Sequence, residues 1–123
     1  MSRVIHFEIP VDDPERGTKF YQKVFDWKIN KWDGPEDYWM ITTGAKDEPG
    51  IDGAIMRRSL GPGATTVNTI DVPSLDAFIR KVTEAGGKIV MPKHAIPGVG
   101  YFAYCADTEG NMFGMMQNDP SAH

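Results

Sequence analysis

His6, Glu8 and Asp52 are the side chains of this 123-residue chain whose types and spacing suit proton transfer. His6 and Glu8 stand two apart in Val4-Ile5-His6-Phe7-Glu8-Ile9. On an extended backbone both project from one side, which sets an imidazole beside a carboxylate. That pairing is raw material for general acid–base chemistry, because histidine changes charge near neutral pH. Nothing in the sequence ranks the three groups; His6 and Glu8 are carried forward as weak catalytic candidates. A lone histidine also serves as a hydrogen-bonded core residue or as a polar group facing a cavity, so the role of His6 stays open. His94 falls in a proline-rich stretch and reads as a solvated loop residue. The single cysteine, Cys105, lies between Tyr104 and Ala106 and reads as a small apolar strand residue. No Ser-His-Asp or Cys-His pairing, phosphate-cradling glycine loop or nucleotide fingerprint accompanies these groups.

Two glycines point to a place where something approaches the backbone. Gly50-Ile51-Asp52-Gly53-Ala54-Ile55-Met56 and Gly110-Asn111-Met112-Phe113-Gly114-Met115-Met116 share a plan, a turn glycine followed by a second glycine inside an apolar run. A glycine within a strand marks a bulge or a close approach. The match puts Gly53 and Gly114 in equivalent places, next to the contents of a cleft. Large soft side chains are abundant, and Trp39, Tyr101 and Met116 are expected to line that cleft, methionine adapting to irregular shapes and aromatics offering flat contact area.

The elements that must position these residues repeat. Val4 to Ile9 is β-branched and aromatic, a strand closed by Pro10. Asp13 and Pro14 start a helix, and Phe20, Tyr21, Val24 and Phe25 fall on one helical face as its expected core stripe. Strands follow at 27–32, 38–43 and 51–56. After the glycine- and proline-rich linker the plan restarts: a strand to Val72, a helix from Ser74 stopped by Gly86-Gly87, then strands at 88–91, 101–106 and 112–117. Pro92 to Gly100 reads as a loop.

With 41% hydrophobic residues the chain can bury a core at this length. A formal charge of -4, a pI near 5.3 and no basic cluster beyond Arg57-Arg58 exclude a surface built for nucleic acid. No apolar run nears the ~18 residues that span a bilayer, so the expectation is a cytoplasmic protein with no membrane partner.

The doubled strand–helix–three-strand plan, the opening Ile9-Pro10-Val11-Asp12-Asp13-Pro14, and Gly98-Val99-Gly100-Tyr101 leading to Asp107-Thr108-Glu109-Gly110-Asn111 carry a resemblance. Over residues 3–118 the chain resembles the vicinal oxygen chelate superfamily, the glyoxalase, bleomycin resistance protein and dioxygenase family. The resemblance implies an α+β fold of two tandem βαβββ modules forming a curved, open mixed-sheet barrel. It implies one domain, with module one at about 3–58, a linker at 59–64 and module two at about 65–118, and a homodimer. Metal-binding members use a histidine in the first strand, an acid or histidine in the fourth, a histidine opening the second module and a glutamate in the last strand. Carried over, His6 matches the first, while Gly53, Asn68 and Gly114 stand at the other three. One imidazole and one amide fall short of the three protein ligands of an open catalytic site. No metal or other cofactor is therefore expected. The resemblance implies a metal-free protein that binds a small apolar or aromatic molecule in a cleft of His6, Gly53, Asn68, Gly114, Trp39, Tyr101 and Met116. The alternative it leaves is a metal-dependent lyase, isomerase or dioxygenase with an atypical site around His6. A subunit role without any small ligand is the third class.

Overall fold

A computed structural model describes residues 2–58 and 65–123. The linker expected at 59–64 lies outside the described residues. The fold is α+β: β1 (Val4–Val11), α1 (Pro14–Phe25), β2 (Lys28–Lys31), β3 (Tyr38–Thr42) and β4 (Asp52–Arg57), then β5 (Val67–Asp71), α2 (Leu75–Glu84), β6 (Lys88–Ile96), β7 (Gly100–Ala106) and β8 (Met112–Asn118). The βαβββ plan thus occurs twice. Two compact units result, His6–Thr66 and the described residues up to Ile5 with Val67–His123.

In the His6–Thr66 unit, β1 pairs in parallel with β4, and β4 and β2 flank β3 in antiparallel order. The Asp13 carboxylate accepts from Arg16 N–H at 3.2 Å and Pro14 occupies the first turn, so α1 starts where those residues predict. Ile29, Ile41 and Ile55 form the core with Phe7, Ile9, Val11, Trp27 and Trp39, and from α1 Tyr21 packs on it. The expected helical stripe is corrected here. Phe20, Val24 and Phe25 are 56%, 54% and 55% exposed, because Pro14, Gly17, Thr18 and Tyr21 turn toward the sheet instead.

In the second unit β5 pairs in parallel with β8, and β8, β7 and β6 continue antiparallel. Ser74 caps α2 by accepting from Ala77 N–H at 3.3 Å. Its core is Val72, Leu75, Ala103, Cys105 and Met115, which bears out the structural reading of Cys105. The expected loop from Pro92 is corrected as well: β6 runs through it to Ile96 with register shifts between Ile89 and His94. Proline is tolerated there because β6 is an edge strand that bonds on one side only. His94 is accordingly a half-buried strand residue with its ring edge-on to Phe102 at 5.9 Å. Among the described residues, no helix is long and apolar enough to cross a membrane.

Candidate functional site

Register decides which side chains share a face. His6 pairs with Asp52, Glu8 with Ala54, and Tyr38 with Met56, while Phe7 pairs with Gly53 and Ile9 with Ile55. Since successive residues of a strand point to opposite faces, His6, Glu8, Tyr38, Met40, Asp52, Ala54 and Met56 share the face turned away from α1. Phe7, Gly53, Trp39, Ile41 and Ile55 share the α1 face. Tyr38 joins the two residues that sequence spacing had paired. Its hydroxyl donates to Glu8 Oε2 at 2.6 Å, and His6 Nε2 lies 2.8 Å from the same hydroxyl. A phenol whose one O–H is donated to a carboxylate accepts from its other neighbour, which assigns the proton of His6 to Nε2. The His6 and Tyr38 rings stack at 6.2 Å.

Glu8 is 4% exposed, one of two buried polar residues in the described chain. Burying a carboxylate is costly unless hydrogen bonds satisfy it, and Tyr38 supplies one. Burial pushes the His6 imidazole below its ordinary value of 6.5, with Glu8 and then Asp52 opposing that shift through their charge. The ring is therefore neutral at pH 7. Asp52 is turned outward, its Oδ1 accepting from Thr43 N–H at 2.8 Å and from the Thr43 hydroxyl at 3.2 Å.

Among the described residues no three His, Cys, Asp or Glu side chains converge on a point. His6 Nε2 and Glu8 Oε2 both meet the Tyr38 hydroxyl, and Asp52 accepts from Thr43 beside the end of β3.

The other residues expected in a cleft divide by face. Gly53 is on the α1 side, where an added Cβ would stand 2.5 Å from the Phe7 ring and from the Phe7 carbonyl. Trp39 is on that side too, with Lys31 and Arg57 each 5.7 Å from its ring and Asp37 bridging both cations. The Arg57 guanidinium first, then Lys31, holds the Asp37 carboxyl below its usual range. Trp39 lines a groove of about 740 Å³ with Asp12, Thr18, Asn30, Lys31 and Arg57, a charged place rather than an apolar one.

In the second unit Tyr101 packs on the α2 core. Asn68 pairs with Phe113, has the parity of Ile70 on that same α2 side, and is exposed. Gly114 and Met116 lie on the opposite face with Thr69, Phe102 and Tyr104. The Phe102 ring covers Gly114 where a Cβ would go. Gly53 and Gly114 are thus not equivalent in face, although each seats a phenylalanine ring. Sequence reasoning missed Tyr38 as the link and Thr69, whose hydroxyl is buried without a hydrogen-bond partner among the described residues. Strand parity along Tyr38-Trp39-Met40-Ile41 and Val67-Asn68-Thr69-Ile70 gives which of these residues share a face, and not which face the helix covers.

The family model of the Glyoxalase/Bleomycin resistance protein/Dioxygenase superfamily matches residues 3–115. A glyoxylase-like domain-containing protein of Didymella fabae is 32% identical over 108 residues, covering 85% of this chain and 84% of that one. Among solved structures, methylmalonyl-CoA epimerase in complex with methylmalonyl-CoA and NH4+ superposes with a TM-score of 0.70 at 11% identity, over 99% of this chain and 98% of that one. A glyoxalase/bleomycin resistance protein/dioxygenase superfamily member from Vibrio splendidus gives 0.66 at 17%, over 97% and 100%.

Proposed function

The chain belongs to the glyoxalase/bleomycin resistance protein/dioxygenase superfamily, and from that premise we propose that it binds a small apolar or aromatic molecule without a metal. The supporting observation is the hydrogen-bonded His6–Tyr38–Glu8 chain set among soft apolar side chains on one sheet face of the His6–Thr66 unit. Met40, 40% exposed, with Met56 supplies adaptable contact area beside it. In this reading the protein is a cytoplasmic homodimer whose partners are its small ligand and its second copy, with neither nucleic acid nor membrane.

A thermal-shift screen of aromatic compounds tests it, run on the parent and on Met40→Glu, which puts a charge into that face. Binders are expected to raise Tm in the parent and to lose the effect in the variant. No shift from any compound would overturn the reading.

The enzyme reading, a lyase, isomerase or dioxygenase around His6, draws on the buried imidazole–phenol–carboxylate chain, which can pass a proton between groups. Elemental analysis of protein purified without chelators separates the two. The expected result is well under one divalent metal per chain; near one per chain, lost in His6→Ala, would replace the binding reading with the metalloenzyme.

A further inference from the structure

We propose that the ligand of the His6 face is an aromatic molecule carrying a neutral O–H or N–H donor, and that Tyr38 and Glu8 select it by fixing which nitrogen of His6 accepts. This deepens, and rests on, the binding reading above.

The buried Glu8 carboxylate accepts a hydrogen bond from the Tyr38 hydroxyl at 2.6 Å, so the phenol oxygen accepts from His6 Nε2–H at 2.8 Å. A neutral imidazole has one N–H, and with Nε2 carrying it, Nδ1 keeps a lone pair. Among the described residues Nδ1 has no hydrogen-bond partner. His6 is only half-buried, and its ring is both hydrogen-bonded to and stacked on Tyr38. The face therefore offers a ligand one fixed acceptor.

Charge decides which ligands can use it. Glu8 on the same strand and Asp52 paired directly opposite His6 both bring negative charge to His6. A carboxylate or phosphate ligand meets like charge beside the acceptor. An ether or ester oxygen meets a lone pair. A neutral O–H or N–H donor satisfies Nδ1 and leaves the Tyr38–Glu8 bond intact. Trp32, edge-on to Tyr38 at 6.1 Å, and Met40 give the aromatic body something to lie against.

Naphthol, methoxynaphthalene and naphthoate are matched probes that differ in this one group, and isothermal titration at neutral pH compares them. Naphthol is expected to bind up to about tenfold more tightly than methoxynaphthalene, the span of one hydrogen bond, with naphthoate weakest. Tyr38→Phe, which frees the tautomer, should shrink the naphthol advantage. Because that variant loses a buried hydrogen bond, nitrogen-15 NMR of the parent gives a second reading. The free protein should show protonated Nε2, and naphthol should shift Nδ1. Equal binding of naphthol and methoxynaphthalene, or an Nδ1-protonated ring, overturns donor selection while the binding reading stands. Failure of all three probes to bind overturns the binding reading itself.

Discussion

Tyr38 shows how much one hydroxyl can organise. It satisfies Glu8, sets the tautomer of His6 and ties β3 to β1 within one unit. Removing it leaves a buried carboxylate with one donor fewer, a loss of about 1.5–3 kcal/mol for a bond to a charged group. Tyr38→Phe should lower the urea midpoint accordingly with the m-value unchanged; an unchanged midpoint would show that the bond adds nothing. His6 makes a pH prediction with a definite sign. Burial lowers its folded-state value below the unfolded 6.5, so between the two the unfolded chain binds more protons and stability rises with pH. The contribution is complete above 6.5 and is lost as pH falls through the lowered value. His6→Gln should therefore flatten the stability–pH profile on the acidic side of 6.5, with Glu8, Asp52 and Tyr38 as the remaining ionisable groups around the site. A profile of unchanged slope would contradict it.

At the scale of elements, the two glycines that looked like cleft openings are seats for aromatic rings. A strand glycine paired with a neighbouring aromatic exchanges its missing side chain for ring contact. Beside Gly53 a Cβ would meet both the Phe7 ring and the Phe7 backbone carbonyl at 2.5 Å, and the backbone cannot swing aside. Beside Gly114 it would meet the Phe102 ring alone among the nearest atoms. Gly53→Ala should then cost about 1–3 kcal/mol as overpacking, and Gly114→Ala less, since a ring can tilt. Differential scanning calorimetry on the pair checks the order; a reversed order would place the strain elsewhere. The helix α1 teaches a related point. Its cap and its proline start it correctly, yet its most apolar residues, Phe20, Val24 and Phe25, lie largely outside, with Phe25 stacked on Trp27 at 5.4 Å.

For the whole molecule, that exposed stripe supports the proposed homodimer, because large exposed apolar patches on a small domain commonly mark an interface. Analytical ultracentrifugation should find about twice the 13.7 kDa of the chain, and Phe20→Glu should shift it to the single-chain mass with Tm little changed. A 13.7 kDa species persisting in the parent at high micromolar concentration would overturn the dimer.

What the sequence determined by itself was local and periodic. Asp13-Pro14 and Ser74 announce helix starts through hydrogen bonds they can form with their own neighbours, and the doubled strand–helix–three-strand order follows from apolar runs between turn residues. His6 and Glu8 on one side of β1 followed from a period of two. That period fixes relative parity and leaves open which side is covered, because both faces of these strands carry large apolar residues. Gly53 and Asn68 were assigned to a cleft from matched positions and Trp39 and Tyr101 from residue type, and the docking of α1 and α2 put all four on the helix sides. Tyr38 meets His6 and Glu8 only because β3 pairs with β4 and β4 with β1, contacts spanning 30 and 32 residues of sequence. No local rule encodes such a meeting; it exists once two strand registers are set, and those are set by burying Ile29, Ile41 and Ile55 under the helix.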